Sequence, residues 1–168
     1  MLKRSICIFP SFENIKEIES IRAKYDPLYK LIPPHITLVF PFESDISKEK
    51  LLQHIRNVLI NETPFKITLQ GITGADERYL FLGVKSGNDE IIKLHDKLYT
   101  GLLKKHHYRN ISYIPHITVG QLETKNEFNK VVEDTINYNS VFNAEVSQII
   151  VELIDNGDRS SVEFYYNL

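Results

Sequence analysis

Two histidines and two threonines stand in two copies of one tetrapeptide, Pro-His-Ile-Thr, at residues 34–37 and 115–118. The histidines, His35 and His116, lie 81 residues apart, which is about half of the 168-residue chain. The similarity extends outward, because Ile-Pro-Pro-His-Ile-Thr-Leu in the first copy matches Tyr-Ile-Pro-His-Ile-Thr-Val in the second. An unperturbed imidazole titrates at about pH 6.5, so a pair of imidazoles can give and take a proton near neutral pH. The repeat predicts an internal duplication that places half of an acid–base site in each half of the chain.

Hydrophobic periodicity predicts the same order of elements in both halves. The elements expected in the first half are residues 5–9 (strand), 12–24 (helix), 35–40 (strand), 47–60 (helix) and 65–69 (strand). Those expected in the second half are residues 80–84 (strand), 89–104 (helix), 116–121 (strand), 124–136 (helix), 141–153 (strand) and 161–166 (strand). The strands at 65–69 and 80–84 should pair in antiparallel fashion. A capping box from Thr124 to Glu127 opens the last helix, and Asn156-Gly157 predicts a hairpin between the last two strands.

Each motif lies on a predicted strand, where side chains alternate between the two faces. His35 and Thr37 therefore share one face, as do His116 and Thr118 in the second copy. The opposite, apolar face should pack on helices, and the polar face should line a cleft between two lobes. A phosphate in that cleft could accept hydrogen bonds from two hydroxyls and two imidazoles. One histidine could take a proton while the other gives one to the leaving oxygen.

The composition excludes several classes of protein. With 42% hydrophobic and 25% charged residues, the chain fits one globular unit or two small lobes that share a core. Its net charge of −2 excludes a strongly basic surface for long nucleic acids. Cys7 is the only cysteine, which excludes a disulfide framework and a cysteine-based zinc site. The apolar N-terminal run is too short for a signal peptide and no segment is long enough to span a bilayer, so we expect a soluble cytoplasmic monomer.

The paired motifs resemble those of the two-histidine (2H) phosphoesterase superfamily, whose pattern is His-apolar-Thr/Ser-apolar once per half. This superfamily includes the 2′-5′ RNA ligase-like proteins and cyclic nucleotide phosphodiesterases. The resemblance covers essentially the whole chain, because the order of elements matches as well. It implies an α+β fold in a single domain, residues 1–168. Two interleaved lobes of duplicated β-α-β-α-β units would be related by a pseudo-two-fold axis, with antiparallel sheets lining a central cleft and helices outside.

The same resemblance implies the chemistry of the site. The centre would hold no metal and need no cofactor. The substrate would be a 2′,3′-cyclic phosphate, a 1″,2″-cyclic phosphate or an RNA phosphodiester end. One histidine would activate water and the other would protonate the leaving ribose oxygen, while Thr37 and Thr118 hold the non-bridging oxygens. The sequence leaves the assignment of base and acid open, and we favour His116 as the base.

Two other functions stay open at this point. The first is a phosphoesterase that acts on a small nucleotide or phosphorylated metabolite outside RNA metabolism. The second is a module that binds a nucleotide or an RNA end without catalysis, although the intact His and Thr pairs argue against it. In each case we expect a small nucleotide or RNA end as the ligand, no membrane and no obligatory protein partner.

Four further residues are candidates for substrate binding. Phe42, at the expected exit of its strand, and Tyr113, just before the second motif, could stack on a base. Gly120 shares the face of His116 and could leave room for a ligand, although a glycine there could equally mark a β-bulge. Arg109 belongs to a basic run at residues 104–109, which could guide a phosphate or simply be a solvated helix end.

Two other histidines have structural interpretations. His95 lies on an apolar helix stripe and is expected in the core or at its boundary. His54 is expected on the surface. The adjacent pair His106 and His107 has no cysteine or carboxylate at ligand spacing, so we expect no metal site there.

Overall fold

Eight strands form two antiparallel sheets of four strands, and each sheet carries one Pro-His-Ile-Thr motif. The computed structural model describes all residues, 1–168. The strands are β1 (Leu2–Ile8), β2 (Ile36–Ser44), β3 (Phe65–Ala75), β4 (Tyr79–Ser86), β5 (His116–Gln121), β6 (Val141–Val146), β7 (Gln148–Ile154) and β8 (Ser160–Asn167). The first sheet has the order β2-β1-β7-β8 and the second has the order β5-β4-β3-β6. The predicted α+β class with antiparallel sheets is confirmed.

The helices tie the two sheets together in a reciprocal way. They are α1 (Ile15–Tyr25), α2 (Lys48–Leu59), α3 (Asn88–Leu98) and α4 (Lys125–Thr135), and a 3-10 helix (Gly101–His106) follows α3. Helix α1 connects β1 to β2 but packs on β5, and α3 connects β4 to β5 but packs on β2. The motif strands β2 and β5 also contact each other. This exchange confirms the predicted duplication and brings both motifs to the centre of the molecule.

Local sequence signals set the helix starts. The Ser47 hydroxyl accepts a hydrogen bond from the Lys50 amide at 3.3 Å and begins α2. The capping box predicted at Thr124 and Glu127 is present at the start of α4. The apolar faces of helices and sheets then join in one continuous core. None of the helices combines the length and the apolar composition that a membrane crossing requires.

Strand β2 continues four residues beyond its predicted end at Phe40, through Pro41 to Ser44. Proline interrupts a strand when its missing N–H breaks a ladder, but β2 is an edge strand and Pro41 is exposed. The extension carries Phe42 into the core, where it is 6% exposed.

The predicted long strand at residues 141–153 is two strands that belong to different sheets. β6 pairs with β3 at the edge of the second sheet, whereas β7 pairs with β1 and β8 inside the first. The burial patterns differ accordingly, because β6 has exposed positions along its length and residues 149–152 of β7 are all buried. The predicted turn at Asn156-Gly157 does join β7 to β8, and the predicted pairing of β3 with β4 is confirmed.

The predicted helix at residues 89–104 ends at Leu98. Gly101 has a φ of +45°, in the left-handed region that favours glycine, and the chain continues as the 3-10 helix. His54 of α2 lies beneath this break. It is 9% exposed, and its Nε2 atom donates to the Leu98 oxygen at 3.0 Å, so the prediction of a surface position was wrong.

Candidate active site

Each motif histidine is held by a hydrogen bond from its Nδ1 atom to the carbonyl oxygen two residues earlier. His35 Nδ1 lies 2.9 Å from the Pro33 oxygen, and His116 Nδ1 lies 2.6 Å from the Ile114 oxygen. A carbonyl oxygen only accepts, so Nδ1 carries the hydrogen in both rings. Nε2 of the neutral ring then carries the lone pair that can take a proton. A proline separates the carbonyl from the histidine in both copies, and its fixed φ sets the path between them.

The motif threonines occupy equivalent positions on the two sheets. Thr37 lies opposite Cys7 on β1, and Thr118 lies opposite Phe81 on β4. Both threonines are half-buried. Because side chains alternate along a strand, each threonine shares a face with the histidine of its own motif. The duplication therefore extends to single residues, with one His–Thr pair on each sheet.

The pKa values of both imidazoles are lowered. Burial, together with the charge of His35, lowers the pKa of His116 to about 4. Burial also lowers the pKa of His35 below its ordinary 6.5, while the bond to Pro33 and the charge of Glu152 raise it in part. The motif strands β2 and β5 contact each other, which brings the two motifs near one another.

The surroundings of His116 are aromatic. The Phe81 ring stacks on the imidazole with centroids 3.5 Å apart and planes 20° apart. Tyr79 stacks on Phe81 in turn at 6.2 Å, and the Arg78 guanidinium lies 5.6 Å from the Tyr79 ring centroid. The result is a row of flat side chains along β4 that starts at the imidazole.

The surroundings of His35 are mixed, with the Phe9 ring 5.7 Å from the imidazole and polar groups on the other sides. His35 and Thr37 line a cavity of about 400 Å³, within the size range of small-molecule sites. The other polar side chains that line it include Ser5, Gln121, Glu152 and Ser160. A second cavity of about 400 Å³ lies at the far end of the first sheet and contains no motif residue. No group of three or more His, Cys, Asp and Glu side chains in the chain could hold a metal ion.

Tyr113 precedes the second motif and contacts the strand of the first. Its hydroxyl donates to the Thr37 carbonyl oxygen at 2.8 Å, and its ring stacks on His95 at 3.6 Å. His95 is 3% exposed, as predicted for a core position, and its Nδ1 atom lies 2.8 Å from the Leu38 oxygen. Tyr113 was predicted to stack on a base, but its ring is already engaged. It ties the loop before the second motif to the strand of the first.

Phe42 and Arg109 lie outside the cleft residues described so far. Phe42 is buried, and its ring lies 4.8 Å from that of His106, so it offers no face to a base. Arg109 is exposed on the loop between the 3-10 helix and β5. In the same basic run, His107 stacks on Tyr99 at 4.6 Å. Phe42 is therefore left out of the proposed site.

Gly120 leaves no room for a ligand, because protein atoms fill the space. The pairing of β4 with β5 shifts between Leu80 and Phe81, which places a β-bulge beside Gly120. A Cβ atom at Gly120 would lie 2.9 Å from Leu80 Cδ1 and 2.9 Å from the Tyr25 Cβ. Of the two interpretations of this glycine, the structure supports the bulge. The absence of a side chain lets α1 pack closely on β5.

We therefore predict that Gly120→Ala lowers the free energy of unfolding by about 1–3 kcal/mol, because α1 must move away from β5. Denaturant unfolding measures this change. Gly83→Ala is the matched control, since a Cβ there meets no atom closer than 3.8 Å. Equal stability of the two variants would contradict the packing role.

The family model described as the 2′-5′ RNA ligase superfamily matches residues 10–158. The chain belongs to this superfamily. The predicted resemblance to two-histidine phosphoesterases is thereby confirmed.

Relatives within the superfamily support phosphoesterase chemistry. A Bacillus licheniformis protein named "Putative phosphoesterase" is 33% identical over 135 residues, which is 78% of each chain. A Geobacillus protein with the same designation is 34% identical over 124 residues, 71% of this chain and 69% of the relative. Escherichia coli LigT, solved with 3′-AMP, superimposes with a TM-score of 0.66 over 99% of this chain and 97% of LigT. At 19% identity, that similarity shows the fold.

In this member of the superfamily, the candidate site includes several residues that the sequence motifs do not mark. Tyr79 and Phe81 alternate with the apolar residues of β4, so their face could have been predicted as the polar, cleft side. Their aromatic character there was the missed signal. Ser5 and Glu152 gave no comparable signal, because they come from β1 and β7 and meet only when those strands pair.

Proposed function

We propose that the protein is a metal-independent phosphodiesterase that hydrolyses a 2′,3′-cyclic nucleotide or an RNA-terminal phosphodiester. The observation that carries this proposal is the paired tether of His35 and His116. Both rings have Nδ1 fixed on a carbonyl oxygen, so both Nε2 atoms are left for proton transfer. The contact between the motif strands β2 and β5, together with the effect of the His35 charge on His116, supports action on one substrate.

In the proposed reaction, water attacks phosphorus while His116 Nε2 takes its proton. The bond between phosphorus and the ribose oxygen breaks, and His35 Nε2 donates a proton to that oxygen. The hydroxyls of Thr37 and Thr118 donate hydrogen bonds to the non-bridging oxygens and stabilise the charge that builds there. The products are a phosphomonoester and a free hydroxyl, and exchange with solvent restores both histidines.

The difference in surroundings supports His116 as the base. Phe81 covers its ring, and with a pKa of about 4 the imidazole is neutral over most of the accessible pH range. A neutral imidazole can accept a proton, whereas the acid must start protonated. His35, beside polar groups, is then the acid.

A nucleotide is the substrate class that best fits the cleft. Phe81 and Tyr79 next to His116 are only half-buried, so the exposed edge of this aromatic row is open to a base. LigT structures have been solved with ATP, 3′-AMP and NADP+. The net charge of −2 favours a small ligand over long RNA.

The test is a panel of 2′,3′-cyclic nucleotides and short RNAs with defined ends, with each product identified by the position of its phosphate. Hydrolysis that persists in EDTA is the expected result. The double variant His35→Ala/His116→Ala serves as the inactive control. Substrates that raise the melting temperature without being cleaved would show a binding module instead.

The pH profile of kcat/KM is expected to be bell-shaped with its maximum on the acidic side of neutrality. kcat/KM reports the free enzyme. Activity should fall below about pH 4, where the base His116 becomes protonated. It should also fall as the pH rises through the pKa of the acid His35, which lies below 6.5. A maximum above pH 8 would contradict this assignment.

A further inference from the structure

Glu152 is a buried carboxylate without a cationic partner. It is 1% exposed and takes part in no salt bridge. Its Oε1 atom accepts from the Ser5 hydroxyl and from the Cys7 thiol at 3.6 Å, and its Oε2 atom accepts from the Ser160 hydroxyl. Acceptance at both oxygens is the pattern of an ionised carboxylate. Burying an unpaired charge is costly, so a nearby positive charge would be strongly favoured.

The cavity that Glu152 lines is the one that holds His35 and Thr37. The second sheet has no such group. Ser5 of β1 lies opposite Glu152, and at the equivalent place Tyr79 of β4 lies opposite Ala75. The two halves therefore differ: a carboxylate lines the cavity of His35, whereas an aromatic row lies beside His116.

The other charged groups that face His35 cancel or are neutral. Arg22 and Asp26 act on it with opposite signs and are bonded to each other at 2.7 Å. Burial raises the pKa of the Cys7 thiol well above its ordinary value, so that group is protonated. His116 is neutral above about pH 4. Lys3 and Asp158, which line the same cavity, are bonded to each other at 3.0 Å. Glu152 is the charge that remains unbalanced.

We propose that Glu152 is a positioning residue that stabilises the protonated form of His35 and so gives His35 the acid role. The acid role in this inference rests on the proposed function. The proposed effect of Glu152 on His35 is a property of the free protein and can be measured without substrate. In catalysis, the imidazolium formed beside Glu152 would be ready to protonate the leaving oxygen.

The experiment is an NMR titration of His35 in the wild type and in three variants. Glu152→Gln removes the charge at nearly constant shape, and we expect the pKa of His35 to fall by about one unit. Glu152→Asp keeps the charge and should restore most of that loss. Glu43→Gln, at an exposed position on β2, removes the same charge at the surface and should leave the His35 titration unchanged.

The kinetic readout is the alkaline limb of the kcat/KM profile. In Glu152→Gln it should move to lower pH together with the His35 titration. An unchanged His35 titration in Glu152→Gln, or equal shifts in the Gln and Asp variants, would overturn the proposal. If no substrate is cleaved but the titration shifts as expected, the proposed hydrolysis fails and the pairing of Glu152 with His35 stands.

Discussion

His116→Ala is expected to lower kcat for phosphodiester hydrolysis by about 10²–10⁴-fold, and His35→Ala by a similar factor, because each removes one proton-transfer group. KM should change little, since the threonines and the aromatic row remain. The double variant should lose far less than the product of the two factors, because residues that act as one unit are not additive. Single-turnover rates on the best substrate of the panel measure all three.

Asparagine variants separate chemistry from structure in this prediction. The amide nitrogen of asparagine lies near the position of Nδ1, so His116→Asn can keep the bond to the Ile114 oxygen while losing the group at Nε2. The fold should survive, and the loss of activity should equal that of His116→Ala. His107→Ala, at an exposed histidine packed on Tyr99, is the control and should keep wild-type rates. Asparagine variants with near-normal activity would exclude the acid–base role.

The motif residues could be placed from the sequence because their information is local. Alternation along a strand puts His35 beside Thr37, and the repeat supplies the second pair. The tether of each ring is also local, since the accepting carbonyl lies two residues away across a proline. Each tether therefore joins residues that are close in sequence, and this part of the candidate site could be predicted.

The asymmetry of the site depends on strand pairing, which the sequence left open. Glu152 lines the cavity of His35 only because the chain passes from β6 in the second sheet to β7, which pairs with β1 in the first sheet. The segment at residues 141–153 contains no proline or glycine that would mark this change of sheet. Phe42 was misplaced for a related reason, because a proline ends a central strand but not an edge strand.

The arrangement of charge around the first motif also involves a buried arginine. Arg22, near the end of α1, is 1% exposed. Its guanidinium donates to Asp26 at 2.7 Å and to the Ile32 oxygen at 2.8 Å. Asp26 Oδ1 accepts from the Leu28 amide at 2.9 Å. These bonds hold the loop at residues 26–34, which leads directly into His35.

Arg22→Met should therefore lower the free energy of unfolding by about 3–5 kcal/mol, because it leaves the Asp26 carboxylate buried without its partner. Denaturant unfolding measures the loss, and Arg56→Met on the exposed side of α2 is the matched control, with a change within about 0.5 kcal/mol. The double variant Arg22→Met/Asp26→Leu distinguishes the unpaired charge from the lost packing. It should recover part of the stability, since the buried Asp26 carboxylate is gone, but not all of it, since Glu19 and the Ile32 carbonyl both lose their bond to Arg22. A double variant less stable than Arg22→Met would show that the loop depends on Asp26 itself, and not on its pairing with Arg22.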